Sequence, residues 1–374
     1  MRYDVIVVGC GAMGSAACWR IAERGASVLG IEQFSLPHDL GASHGHTRMT
    51  RTAYYEHPDY VPLLLRSHAL WAELETAVGE RLLNMTGGLY MGAETSDLIS
   101  GCLRAAREHR LDIDVLDGDE LAHRFPQFTP SPGSIGVLER LAGFLYVERC
   151  LGAMLHRAAI RGAHVRSREA VLGIEEHARH VTVRTTSGAH EARHAVITNG
   201  PWAGRLGFES PVVATRQTLG WFWPRQPERF ALGSSPVWAF DAGGGALLYG
   251  FPMLPDRAGL KVAHHAPGPP VNPDQVSRIL TPPDEHALRA LMRPHLPLAA
   301  DEPLLAMTTC LYENSPDGHF TLRRISDQLS FATGFSGHGF KFAPVVGQVM
   351  ADLALDGRTS LPAAFLDPHT RGIA

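Results

Sequence analysis

Residues 3–32 read YDVIVVGCGAMGSAACWRIAERGASVLGIE. Residues 4–8 form a short apolar run rich in β-branched side chains, the pattern of a strand covered on both faces. Gly9, Gly11 and Gly14 follow as G-x-G-x-x-G, and residues 15–23 read as a helix ended by Gly25, which tolerates the left-handed conformation. A second apolar run, 28–31, finishes on Glu32. Each part has a job if a dinucleotide lies here. Gly9 makes the tight turn, Gly11 lets backbone approach a pyrophosphate, and Gly14 lets helix and strand pack closely. The pyrophosphate sits at the helix start, against free N–H groups and the positive dipole end. Glu32 accepts hydrogen bonds from ribose hydroxyls, and an acid at this position disfavours a phosphorylated ribose. FAD and NAD both fit this stretch.

Outward from that unit, the loop 33–47 carries PHDLGASHGHTRMTR (37–51), which places Ser43, His44 and Arg48 beside the phosphate-binding turn. Arg51 suits a carboxylate, because a guanidinium offers two parallel hydrogen bonds. Residues 61–78 read as a core-facing helix, 93–128 as helical stretches with a solvated charged face, and 151–160 as a helix closed by Gly162. Strands are expected at 165–174, 181–185 and 194–198, with Val171 where the returning chain can touch an adenine. From 211 to 310 the texture changes to alternating strands (212–223, 237–240, 246–251 and 260–263), hence an antiparallel sheet in a second domain. The final block resembles the first, with a strand at 329–333, a glycine-rich turn at 334–339 and a helix at 341–355. A second helix start thereby points at the sheet crevice.

The whole-chain properties fit this reading. A chain of 374 residues is long for one core, and 45% hydrophobic with 19% charged residues is ordinary globular composition. A net charge of -4 gives no support to nucleic acid or an anionic membrane as partner. No apolar run approaches the roughly 20 residues that span a bilayer. Five scattered cysteines without paired spacing lead us to expect a cytoplasmic protein with no disulfide framework. Residue 1 leads directly into the first strand, so no cleavable leader is expected. Twenty histidines show no ligand spacing, and no metal is expected.

SHGHTRMTR (43–51), YGFP (249–252), Leu260-Lys261, Cys310-Leu-Tyr312 and GFSGHGFK (334–341) stand in the order and spacing of the monomeric sarcosine oxidase family, which this chain resembles. That family includes N-methyl-L-tryptophan and pipecolate oxidases, and the resemblance covers nearly the whole chain. It implies an α/β fold in the D-amino acid oxidase superfamily: a Rossmann-like, glutathione reductase-like FAD-binding domain (1–82, 145–212 and 320–374) interleaved with an α+β substrate domain on an antiparallel-rich sheet (83–144 and 213–319). It implies a monomer that oxidises secondary amino acids with oxygen. A hydride passes from the carbon next to nitrogen to FAD, and hydrogen peroxide forms. The pipecolate-type and other cyclic amino acid oxidases, a same-fold flavin dehydrogenase and a flavin-free NAD-dependent reductase are the alternatives.

By the same resemblance Cys310 carries the flavin as a thioether. That chemistry needs a thiolate, with Arg48 the candidate cation to lower its pKa. Arg51 and Lys341 hold the substrate carboxylate, with Tyr312 adding a hydrogen bond. Lys261 lies over the flavin and stabilises superoxide during reoxidation, and Tyr249 and His265 line the substrate pocket. Gly337, His338, Gly339, Phe340 and Lys341 contact the cofactor. Relatives often carry Asp where His46 stands, and the pattern assigns no separate roles to His46 and His264.

Overall fold

A computed structural model describes residues 2–207 and 211–372. The expected first-domain residues 1, 208–210, 373 and 374 lie outside that set. The strand Arg2–Val8 sits in the middle of a parallel sheet because Val5, Ile6, Val7 and Val8 are all buried and leave no polar face to expose. Val28–Ile31 flanks it on one side, with Val8 opposite Ile31, and Gly188–Ile197 on the other, with Val8 opposite Ile197. His164–Arg166 and Leu329–Thr333 extend the parallel set outward. The long strand Gly188–Ile197 serves two partners along one edge. Its first half pairs antiparallel with Val181–Thr185, and its second half pairs parallel with Leu329–Thr333.

Helix Ala12–Glu23 covers this sheet and touches helix Ala343–Asp356 without room for an intervening side chain. A Cβ on Gly347 would lie 2.5 Å from the Ala16 carbonyl carbon. The core between these helices and Tyr60–Val78 includes Ala16, Ile21, Trp71, Leu74, Val346 and Met350.

A second sheet has eight strands, in the order Leu304–Asn314, Val213–Phe222, Leu260–His265, Leu247–Gly250, Val237–Asp241, Gly88–Gly92, Ile135–Glu139, Ile113–Leu116. It is antiparallel except where Val237–Asp241 runs parallel to Gly88–Gly92. Its own core packs Phe222, Trp238 and Phe240 against Leu288 and Met292 of helix Pro282–Met292. Leu304–Asn314 reaches the first sheet at its end, where the Ser336 amide donates to the Glu313 carbonyl at 2.8 Å. A small third sheet joins Thr47–Thr50, Gly143–Tyr146 and Leu83–Met85. No helix among the described residues is long and apolar enough to cross a membrane.

Several local expectations differ from the structure. The 93–128 stretch holds two helices, Asp97–His109 and Gly118–Arg124, but the strand Ile113–Leu116 lies between them and pairs with Ile135–Glu139. The expected strand 165–174 is two strands, His164–Arg166 and Val171–Glu176, broken where Arg168 takes a left-handed φ of 59°. Residues 47–50, expected to leave a loop, form an edge of the third sheet because Gly143–Tyr146 supplies the hydrogen-bonding partner.

Candidate active site

The glycine turn builds one wall of a cleft of about 230 Å³. Gly9 has φ 86°, and a Cβ there would lie 2.7 Å from the Thr198 carbonyl oxygen, so only glycine makes this turn. Gly14 packs inward: its Cβ would sit 1.8 Å from the Gly9 carbonyl oxygen. Gly11 differs from both. Its nearest would-be contact is the Ser43 hydroxyl at 3.6 Å, and the residue borders the cavity. The Ala12 amide, at the helix start, donates to that hydroxyl at 3.2 Å. Glu32 is buried at the next strand tip, where its carboxylate accepts from the Cys10 and Phe34 amides at 2.8 and 3.1 Å. Val171, Thr198 and Asn199 close this end, and Gly337, Gly339 and Phe340 face it from the C-terminal block. Backbone approached through glycine, a helix start and an acid at the second strand tip fit a dinucleotide with an unphosphorylated ribose.

Beyond the far end of that cavity stands Cys310, 1% exposed, between residues that do border it. Arg48 donates to its sulfur at 3.2 Å and to the Ala42 carbonyl at 2.9 Å. Burial alone raises a thiol pKa. The Arg48 guanidinium and the His44 hydrogen bond outweigh it, and the thiol falls to about 7. His44, expected at the cofactor, is buried against Cys310, and among the described residues its Nε2 has no hydrogen-bond partner. Lys261 is 3% exposed, and its ammonium donates to the Gly45 and Thr47 carbonyls, both at 2.7 Å, and to the Thr47 hydroxyl at 3.1 Å. Burial pulls its pKa well down, with Arg48 adding to the effect, while three oxygen acceptors match its three protons.

Next to the cofactor cleft, and sharing Arg48, Tyr312, Gly337 and Phe340 with it, is a smaller cavity of about 70 Å³. Arg51, Tyr249, His265 and Lys341 line it too. The geometry therefore collects every expected substrate-site side chain around one space. His265 Nδ1 and the Tyr312 hydroxyl are 3.1 Å apart, and burial takes the imidazole down to about 4, which keeps it neutral. Lys341 is 4% exposed, donates to the His338 carbonyl at 2.6 Å and lies 5.3 Å from the Tyr54 ring centre. It borders this cavity, which adjoins the dinucleotide cleft.

His338 was also expected at the cofactor. Its ring turns away from the cleft, sharing one hydrogen bond with the Tyr54 hydroxyl and another with the Gly318 carbonyl at 2.9 Å. The cause is backbone alternation in the turn: Gly337 and Gly339 face the cofactor side, and the residue between them faces Tyr54 and Glu56.

Glu56 and Glu139 were not legible in the sequence. Glu56 is the buried partner of Arg51, and its only sequence signal is an acid five residues after that arginine. Glu139 anchors the intervening chain, accepting from the Ala53 amide at 2.9 Å, the Tyr90 hydroxyl at 2.8 Å, and Thr52 through both amide and hydroxyl. Nothing in the local sequence around Glu139 marks it, because its partners come from two distant segments.

Residues 4–353 match the family model described as FAD dependent oxidoreductase. The chain belongs to that family. Among relatives of this FAD-dependent oxidoreductase, a monomeric sarcosine oxidase from Streptomyces avermitilis is 38% identical over 377 residues, covering 98% of this chain and 97% of that one. An N-methyl-L-tryptophan oxidase from Salmonella newport is 32% identical over 371 residues, covering 98% of each chain. Among solved structures, the open form of NikD, an unusual amino acid oxidase essential for nikkomycin biosynthesis, superposes with a TM-score of 0.85. It is 26% identical and covers 98% of this chain and 97% of its own. The flavin-free reductase alternative is thereby overturned, and the chain is an FAD-dependent amine oxidase of this family.

Proposed function

We propose that this enzyme oxidises N-methyl or other secondary amino acids, with FAD held through Cys310 and oxygen as electron acceptor. The observation that carries the reading is a pair of buried basic side chains, Arg51 and Lys341, bordering one small cavity that abuts the cofactor cleft; burial and then Arg51 pull the Lys341 pKa well down, and a bound carboxylate favours its charged form. Glu56 offsets only one of them. A substrate carboxylate supplies the missing negative charge, and the guanidinium fork fixes its orientation.

The same charges select the protonation state of the amine. An ammonium has no lone pair to release, and it is repelled where Arg48, Arg51 and Lys341 converge. The neutral His265 adds no further charge, and its hydrogen bond to Tyr312 orients both rings beside the reacting end. When bound, FAD supplies the two-electron sink that takes hydride from the carbon next to nitrogen and passes electrons to oxygen, yielding peroxide. The imine so formed is hydrolysed by water. An N-methyl substrate then gives formaldehyde and a primary amino acid.

Cys310, its thiol already lowered, is the residue we assign to a thioether with the flavin 8-methyl carbon. Lys261 is assigned to stabilise the negative charge that develops on oxygen. In this reading residues 1–82, 145–212 and 320–374 form the FAD-binding domain and 83–144 and 213–319 the substrate domain, with Cys310 and Lys261 reaching the cofactor from the second and Arg51 and Lys341 reaching the substrate from the first. All the residues involved come from one chain, so a monomer suffices. A peroxide assay across sarcosine, N-methyl-L-tryptophan and L-pipecolate tests the proposal. Turnover of none of them, with flavin present, overturns it.

A further inference from the structure

The inner cavity, about 70 Å³, is not the end of the space. A second cavity of about 800 Å³ lies outside it, and the two share Tyr55, His265, Tyr312 and His338 as a common wall. An amino acid whose carboxylate sits on Arg51 and Lys341 fills the inner space with its backbone. Any sizeable side chain must then pass that wall.

The outer cavity has a charge character of its own. Arg104 and Arg107 project into it from one face of helix Asp97–His109, three residues apart. Both are exposed, and among the described residues neither makes a hydrogen bond or an ion pair. The acids that share the cavity are mostly offset. Glu56 is paired with Arg51, and Asp317 lies 2.8 Å from Arg371. Asp97 occupies the first turn of the helix, where free amides offset its charge. Burial keeps His265, His319 and His338 below the usual imidazole value, so they are neutral at pH 7. Two cations against the one remaining acid, Asp97, leave the cavity net positive. Their helix is firmly seated: a Cβ on Gly101 would lie 2.4 Å from the Tyr55 carbonyl oxygen, so it packs directly on the shared wall.

We infer that the outer cavity receives an anionic side chain, and that the preferred substrates are N-methyl amino acids carrying a second carboxylate. This rests on the inner cavity holding the first carboxylate, as proposed for the function. A neutral or aromatic side chain enters the same space but leaves Arg104 and Arg107 unused. Because both cations are reached by solvent, the discrimination is modest and salt-sensitive.

The test compares kcat/KM of the holoenzyme for N-methyl-L-glutamate and its uncharged isostere N-methyl-L-glutamine. The expected preference for glutamate is about fivefold at low salt, shrinking at high salt and collapsing towards unity in an R104Q/R107Q double variant. A ratio near unity in the wild type, or one that survives the double substitution, overturns the inference. Glutarate against glutaramate, read by perturbation of flavin absorbance, gives the same comparison without turnover. Tighter glutarate binding that is lost in the double variant supports the outer site even if no amine is oxidised; equal binding removes it. Failure of sarcosine turnover alongside preferred glutarate binding would sink the oxidase reading alone.

Discussion

Arg51 and Glu56 form a buried ion pair, Nη2 to Oε1 at 2.5 Å, while the other terminal nitrogen of the guanidinium and the other carboxylate oxygen lack partners. The arginine also stacks over Tyr54 and Tyr55, 4.2 and 4.7 Å from their ring centres. Glu56 thus takes one terminal nitrogen of Arg51, competes for its charge, and leaves the other terminal nitrogen for a substrate carboxylate. Arg51→Ala should raise KM by about 10- to 100-fold, the scale of one or two charged hydrogen bonds, with a smaller fall in kcat. Glu56→Gln should lower KM by removing the competitor. Steady-state kinetics on both variants decides the matter, and an unchanged KM for Arg51→Ala removes that residue from the site.

The same pair sets a pH dependence of stability. Burial raises the Glu56 carboxyl, but the Arg51 guanidinium outweighs it and holds the group at about 2 against an ordinary 4.5. A depressed carboxyl contributes stability above its unfolded value and loses it as pH falls through the folded one. The Tm difference between wild type and Glu56→Gln should therefore be constant above pH 4.5 and shrink between 4.5 and 2. A difference that grows on acidification contradicts the pairing.

With its thiol lowered to about 7, Cys310 should react as the thiolate near neutrality. Flavin attachment to apoprotein should accelerate as pH rises through that value. Arg48→Gln removes the main lowering charge and should move the midpoint upward. Acid-precipitated wild type should stay yellow and Cys310→Ala should not; quantitative release of flavin from the wild type rules the linkage out.

Lys261→Met deletes a buried ammonium and leaves the Gly45 and Thr47 carbonyls without their donor. Reoxidation by oxygen should slow by about two orders of magnitude or more, with flavin reduction less affected. Rapid mixing of reduced variant with oxygen measures this, and an unaltered reoxidation rate clears Lys261 of the role.

Gly14→Ala forces a methyl against the Gly9 carbonyl oxygen, 1.8 Å from its ideal position. The helix must move away from the strand, at a cost of about 2 kcal/mol, and the turn it carries moves too. Lower Tm together with sub-stoichiometric flavin is the expected outcome. Full flavin content at wild-type Tm contradicts the packing argument.

The glycine unit and four of the eight strands of the second sheet were legible because their signals are local. Residues 5–8 and 28–31 carry no polar side chain, as only doubly covered strands do. Gly9, Gly11 and Gly14 advertise backbone that tolerates no side chain. The strand Ile113–Leu116 was lost between charged helices because its four residues carry too little periodicity to oppose them. The orientation of the His338 ring was not legible for another reason. Which face of a turn a residue takes depends on neighbours such as Tyr54, 284 positions away.

By itself the sequence determined the α/β class and the dinucleotide turn, since these depend on spacing and chemistry within short segments, whereas the roles of Cys310, Arg51 and Lys341 were implied only by the resemblance to a family. Only the tertiary structure decided that Glu56 partners Arg51, that Glu139 holds the chain between them, and that Arg104 and Arg107 border an outer cavity. Each of those relations is a distance between segments far apart in the chain or between side chains on a folded turn. Burial, which converts such distances into pKa shifts and ion pairs, exists only after the sheets have packed.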